Sequence, residues 1–367
     1  MRVAYDVTSL HDPRTGVGAF AREVLARIAR SPEVTVTAFS VSWRGRGRLH
    51  EVGVPAGVRV VRGPMAAQPL RRIWLRADIP PIEWWTGPVQ VVHGPNFVVP
   101  PARRAAQLAT VHDLTCVRYP ELCTSDTLQY PALIRRALRR GAHLHVVSGF
   151  VAGEVAEVFG VDTDRVHVVP NGVDPLHGAD AAAGRERAGA ERYILAVGTI
   201  EPRKDFPLLV QAFDAVAAQD PDVHLVVAGQ DGWGTPAFVA AVEQAHHRDR
   251  IVRTGWVDDR ARADLLAGAA VFAYPSKYEG FGLAPLEAMA AGTPVVASRT
   301  GALPEVLGDA ARLVEPGSVD DLAGALCTVL DDHAVRDHLV AAGSKQASRY
   351  SWDDCAAGIV AVYESLC

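Results

Sequence analysis

The chain has 367 residues, 49% hydrophobic and 22% charged, with a net charge of −5. That length is long for one domain and ordinary for two. The negative balance argues against nucleic-acid binding, and no stretch reaches the roughly 18 uninterrupted apolar residues that span a membrane.

The charge is uneven. Residues 1–175 hold 21 Lys and Arg against 15 Asp and Glu, a net of +6, and the remainder carries −11. A basic first half fits a polyanion, an acidic lipid surface or a phosphorylated acceptor, and an arginine-rich composition accounts for it equally well. Met1-RVAYDVTSL has an acid inside its apolar run and no cleavage pattern, so it reads as a first strand and not a leader. Cys116, Cys123, Cys327, Cys355 and Cys367 are scattered without zinc spacing. They read as the reduced thiols of a cytoplasmic protein, and no metal site is expected.

Val3-AYDV opens as a strand, and Arg14-TGVGAFAREVLARIA is a glycine turn running into an amphipathic helix. Val34-TVTAFS, Val58-RVVRG, Val89-QVVHG and Leu108-ATVHD are short β runs, each ending at a polar or glycine position. Leu70-RRIWLRADIPPIEWWTG mixes arginines with three tryptophans, a composition that suits a membrane interface, a ring-shaped acceptor or an ordinary helix with its indoles packed inward. Tyr130-PALIRRALRRG is a helix carrying Arg135, Arg136, Arg139 and Arg140, and His143-LHVVS and Val166-HVVPNGVD are strands again. Asp174-PLHGADAAAGRERAGA is small, polar and alanine-rich, a credible linker. A second alternation starts at Tyr193-ILAVGT and ends in a helix from Trp352 to Cys367. Two runs of alternating strands and helices predict an α/β protein with two doubly wound, Rossmann-like domains. The expected division is 1–174, a linker at 175–190, a second domain at 191–347, and a C-terminal helix, 348–367. Ligands of such sheets bind at the carboxyl ends of the strands, across the cleft between domains.

Two stretches at such ends carry chemistry. In Gly198-TIEPRKDF, Arg203 and Lys204 stand together on a turn after a strand. A planar fork beside a point charge fits a diphosphate, and a solvated pair is the plain alternative. In Tyr274-PSKYEGFGLAPLEAMAAGTPVVAS, a glycine loop enters a helix whose first turn holds Pro285 and Glu287. The backbone N–H groups of Gly280, Phe281, Gly282, Leu283 and Ala284 lie at that helix start, a place for phosphate. Glu279 falls in the loop and Glu287 in the helix. They do not share a face, which fits poorly with a hydrolase pair flanking one glycosidic bond. Neither a phosphate-loop signature nor a dinucleotide fingerprint is present. Two anion-binding devices without a nucleophile motif point to a diphosphate leaving group, stabilised more strongly as its bond breaks.

These segments, with Val226-VAGQDGWG, Ile251-VRTGWVDD, Ser148-GFVAGE and Val169-PNGVD, resemble glycosyltransferase family 4, retaining enzymes of the GT-B fold. The nearest subset is the mannosyltransferase-type members. The resemblance implies a nucleotide-diphosphate sugar as donor substrate, with no cofactor and no metal, and a hexose passed to a glycan or lipid-linked acceptor. Domain 1–174 would then serve the acceptor and 191–347 the donor, with 348–367 returning to the first domain. By resemblance, Arg203 and Lys204 grip the diphosphate, Glu287 bonds the ribose and Glu279 the transferred sugar. Phe281, Gly282, Leu283 and Ala284 present amides to sugar and phosphate, and Val257 matches a segment whose backbone holds the nucleobase. His112 matches a histidine near the sugar, a positioning residue and not a general base. Gly18, in the Gly16-Val17-Gly18 turn, would let backbone approach the donor or acceptor, and Gly198 begins the cationic turn. The expected setting is cytoplasmic, with peripheral contact at the inner face of a membrane through the first domain. A sugar-nucleotide epimerase of similar shape and a non-catalytic sugar-nucleotide-binding subunit are the competing readings.

Overall fold

The computed structural model describes residues 1–11, 15–43, 53–176 and 178–367. Arg14, at the head of the first glycine turn, and His177, inside the expected linker, lie outside the described residues. The chain forms two units, residues 1–172 with 351–367, and residues 173–350.

The first unit is built on parallel strands β1 (Arg2–Asp6), β2 (Thr35–Phe39), β3 (Arg59–Val60), β4 (Val91–Gly94), β5 (Ala106–Val111), β6 (His143–Val146) and β7 (Val166–Val168). Their order is β3-β2-β1-β4-β5-β6-β7. Val3 of β1 is in register with Val36 on one side and Val91 on the other. The chain therefore winds outward from β1 in one direction and, after β3, returns to wind outward from β4 in the other. The switch point lies between β1 and β4. Helices cover the faces, so the central strands are apolar on both sides: Val3, Ala4 and Tyr5 are fully buried, as are Val91 and Val92.

The C-terminal helix Trp352–Ser365 belongs to this unit and packs against the helix Gly16–Ile28. A buried chain of neutral groups ties it to the sheet. His145 Nε2 donates to the Val169 carbonyl (2.9 Å), which makes its Nδ1 an acceptor for the Thr110 hydroxyl (3.0 Å). Thr110 then accepts from His93 Nε2 (2.8 Å), and His93 Nδ1 accepts from the Tyr363 hydroxyl (2.6 Å). One carbonyl at the far end thus sets both histidine tautomers. Burial holds His93 well below the usual histidine range and His145 at about 3, so both stay neutral.

The second unit repeats the plan with β8 (Arg192–Val197), β9 (Val223–Ala228), β10 (Ile251–Gly255), β11 (Val271–Tyr274), β12 (Val295–Ser298) and β13 (Arg312–Val314), in the order β10-β9-β8-β11-β12-β13. Its switch point lies between β8 and β11. The core on one face joins Phe206, Leu209 and Phe213 to Leu225, Leu326 and Val329.

The expected linker is largely a helix, Ala181–Ala188. Asp180 caps it, its carboxylate accepting from the Ala182 and Ala183 amides, and Gly189 ends it in the left-handed conformation. Small residues that read as a linker also allow close packing: a Cβ on Gly184 would stand 2.0 Å from the Asp264 carbonyl oxygen on the helix Asp259–Gly268. The Arg-Trp segment divides its indoles. Trp74 is buried and donates to the Pro80 carbonyl, whereas Trp84 is 68% exposed. Among the described residues no helix is long and apolar enough to cross a membrane, and no group of three or more His, Cys, Asp or Glu side chains is placed to hold a metal ion.

Candidate active site at the switch point of the second unit

After β8 the chain reaches the single 3₁₀ turn Pro202–Lys204. Pro202 starts it with its fixed φ, and Asp205 closes it in the left-handed region at φ 51°. The turn sends Arg203 and Lys204 back across the switch point toward the loop that follows β11. That loop carries Glu279, whose backbone is clamped by the next connection: Ala302 N–H donates to the Glu279 carbonyl (2.8 Å). Gly301, at φ 55°, comes so close that a Cβ there would lie 2.1 Å from the same oxygen.

The side chains meet as one cluster. Glu279 Oε1 accepts from Lys204 Nζ at 2.7 Å, and Oε2 pairs with Arg203 Nη1 at 2.7 Å. Arg203 also donates to the Tyr278 carbonyl (2.9 Å) and pairs with Glu201 (2.7 Å). Lys204 bonds the Tyr274 hydroxyl and sits 4.4 Å from the centre of that ring. Burial pushes Glu279 upward, but Arg203 and Lys204 outweigh it and hold the carboxyl at about 2. Burial lowers Lys204, and Glu279 offsets part of that loss. The cations are therefore not solvated ends offered from a turn, as their sequence position alone indicates. Lys204 is 9% exposed, and its charge is matched in place. A pre-aimed, partly desolvated cation pair gives an incoming anion more than a mobile one does, because less reorganisation is needed.

The helix Leu283–Ala290 begins beside this cluster, with Gly282 as its cap at φ 109°. A Cβ on Gly282 would stand 2.6 Å from Leu303 Cδ2, so both backbone angle and space favour glycine. Phe281 is buried, edge-on to Tyr350 at 5.6 Å, and Leu283 and Ala284 form the first turn. The helix starts two residues before Pro285, so Glu287 lies in its second turn and not its first. Glu287 Oε1 pairs with Arg262 Nη2 at 3.2 Å, and the same nitrogen lies 3.3 Å from Asp259. Val257 follows Gly255 (φ 70°) and the half-exposed Trp256, beyond the end of β10. Gly198 donates its N–H to the Ala228 carbonyl (3.0 Å).

The structure thus brings Arg203, Lys204 and Glu279 into direct contact and sets the Phe281–Ala284 backbone next to them. His112 and Gly18 belong to the first unit. His112 Nε2 donates to the Pro95 carbonyl (2.8 Å), with Phe20 edge-on at 5.0 Å, and burial lowers its pKa. Gly18 lies inside the helix Gly16–Ile28, where its N–H is taken by the Thr15 hydroxyl cap (3.1 Å). That amide is committed to the helix, so the glycine offers close approach and not a free donor. Tyr274, Glu201 and Arg262 went unread in the sequence. Tyr274 alone left a signal, an aromatic hydroxyl at the carboxyl end of a buried strand; Arg262 reads as one more charge on a polar helix.

Comparison with known proteins places this geometry. Residues 14–176 match the family model described as Glycosyltransferase Family 4, and residues 181–346 match Glycosyl transferases group 1. The O-antigen chain mannosyltransferase B of Escherichia coli is 27% identical over the full length of both chains. A phosphatidyl-myo-inositol mannosyltransferase of Mycolicibacterium smegmatis is 34% identical over 66% of this chain, which spans 64% of that relative's length. The crystal structure of Anabaena HepE in complex with UDP and glucose superposes with a TM-score of 0.75 at 18% identity, covering all of both chains. Two parallel-sheet units with these matches define a glycosyltransferase of the GT-B fold. The chain belongs to glycosyltransferase family 4.

Proposed function

We propose that this glycosyltransferase moves a hexose, mannose in the first instance, from a nucleotide-diphosphate sugar to a hydroxyl of a glycan or lipid-linked glycan, with retention of anomeric configuration. The observation that carries the reading is the Arg203–Lys204–Glu279 cluster at the switch point, beside the Gly282 helix start. The names of the two mannosyltransferase relatives support the sugar, and the UDP-bound neighbour supports the donor class.

In this mechanism the donor diphosphate takes hydrogen bonds from Arg203, Lys204 and the amides of Phe281 to Ala284. Glu279 keeps both cations aimed and accepts from hydroxyls of the transferred sugar. Glu287 accepts from the ribose, and backbone at Val257 meets the base. As the bond between the anomeric carbon and the phosphate oxygen breaks, negative charge grows on the phosphate, where the two cations stabilise it. The acceptor oxygen bonds the anomeric carbon from the same face, and its proton passes to the departing phosphate oxygen. His112 orients the sugar and takes no proton. Fixed side-chain cations supply the positive charge, so activity should survive chelation.

Calorimetric titration with GDP, UDP, dTDP and ADP, with and without magnesium, tests the donor. One nucleotide should bind in preference, independently of magnesium; binding of none removes the proposed pocket. Proton NMR of the first product from an α-linked donor should show an α-linkage, and a β-product would refute retention.

A further inference from the structure

The cationic turn after β8 is tied to the loop after β11 a second time, through groups outside the Arg203–Lys204–Glu279 cluster. Asp205 closes the turn at φ 51°, one of two non-glycine residues with a left-handed backbone among the described residues. Glycine meets that angle without strain, and aspartate is among the few others that tolerate it. Asp205 is buried, and its Oδ1 pairs with Lys277 Nζ at 3.4 Å. Burial raises its pKa, and Lys277 pulls it back down. The backbone of Lys277 reaches the same turn, its N–H donating to the Arg203 carbonyl (2.8 Å). Its own carbonyl accepts from the hydroxyl of Thr300 (2.8 Å), on the connection after β12. Lys277 is thus anchored on one side and holds the turn at two points, one of backbone and one of charge.

We propose that Asp205 and Lys277 are positioning residues for the donor diphosphate: they clasp the turn so that Arg203 and Lys204 stay aimed when the ligand draws them from Glu279. The inference rests on the glycosyltransferase reading above and adds two residues that act on the diphosphate only through its cations. Arg203, Lys204 and Glu279 join turn and loop through the same charged groups that an anion competes for. A phosphate that takes those bonds also loosens that tie. The Asp205–Lys277 pair and the bond from the Lys277 N–H share no atom with the charged ends of the cluster, so they persist in the loaded site. A turn held in this way needs less ordering on binding, and affinity rises accordingly. An aspartate kept at a strained angle beside a binding site, where glycine would be relaxed, points to a use for its carboxylate.

Calorimetry with GDP, UDP, dTDP and ADP and with the four matching nucleosides separates this role from a structural one. Lys277→Met and Asp205→Asn should each weaken the nucleoside diphosphate that the wild type binds and leave its nucleoside unchanged. The Lys277 side chain is 43% exposed, so the loss should be modest, about three- to tenfold. The double variant should lose no more than either single one, and Lys277→Arg should stay near wild type. Asp205→Gly relaxes the backbone angle, so its melting temperature should hold while its diphosphate affinity falls as in Asp205→Asn. A gain in Asp205→Asn beside a loss in Lys277→Met would mean that a freed Lys277 binds the phosphate itself, and would overturn the positioning role. So would no loss in any variant, or equal losses for nucleoside and diphosphate. A wild type that binds none of the four nucleotides would bring down the donor reading, and this inference with it.

Discussion

The two units share a winding plan but bury their polar groups differently. At the centre of the second unit the buried groups are charged and opposed: Glu279 lies between Arg203 and Lys204. At the centre of the first they are neutral and run in series, from Tyr363 through His93, Thr110 and His145 to a backbone carbonyl. A neutral series satisfies every donor and acceptor without isolating a charge, which suits a joint between a helix and a sheet. A charged cluster has surplus hydrogen-bonding capacity that an anionic ligand can take over. One device holds the fold, the other is the proposed phosphate site, and substitutions should tell them apart.

The largest effect should come from Glu279→Gln, which leaves two desolvated cations without their shared counter-charge. Stability should fall by about 3 kcal/mol or more, read from denaturant unfolding followed in the second unit. Inorganic pyrophosphate should recover part of it. A variant as stable as wild type would mean the cluster is not electrostatically coupled.

Acid should act on the first unit before the second. The native pKa values of His93, His112 and His145 are depressed below their unfolded values, so the stability they hold is present above about pH 6.5 and is lost as pH falls toward the folded values. Asp6 works in the other direction, since its native pKa is raised, but it is one group against three. Glu279, held at about 2, loses its contribution only as pH falls below roughly 4.5. Hydrogen exchange at pH 5 should therefore show protection lost first around β4, β5 and β6. Earlier loss around β8 and β11 would contradict the contrast.

For binding, Lys204→Ala should weaken a nucleoside diphosphate about ten- to a hundredfold and the matching nucleoside hardly at all. Equal losses would remove Lys204 from the diphosphate. Tyr363→Phe deletes one neutral link and leaves His93 Nδ1 unpaired, for a cost of about 1–3 kcal/mol with donor binding unchanged. The smallest change is expected from Asp180→Ala, about 1 kcal/mol from a lost helix cap, measured as a shift in melting temperature. No shift would return residues 181–188 to the role of a tether.

Much of the plan was legible because it is local. Apolar runs of four to six residues ending in glycine or a polar group marked most strands, and Gly282 and Gly292 bracketed the helix that carries Glu287. The strand β13 went unread because Arg312 opens it and only Leu313 and Val314 follow as an apolar run. The linker was misread for a similar reason. Alanine and glycine look alike in a tether and in a helix that must pack closely, and only the Asp264 backbone beside Gly184 separates the two.

By itself the sequence determined two alternating α/β halves, the turn that carries Arg203 and Lys204, and the glycines that open the helix carrying Glu287. Backbone preference and hydrophobic period act over a few residues, and those features live at that range. Tertiary structure decided that Lys204 is buried against a glutamate 75 residues away, that Tyr363 closes a histidine series begun 270 residues earlier, and that Asp6 ends its strand in a recess with Asn96. Such contacts depend on which strands become neighbours, and strand order is set by how the whole chain buries its apolar faces, which no short window of sequence contains.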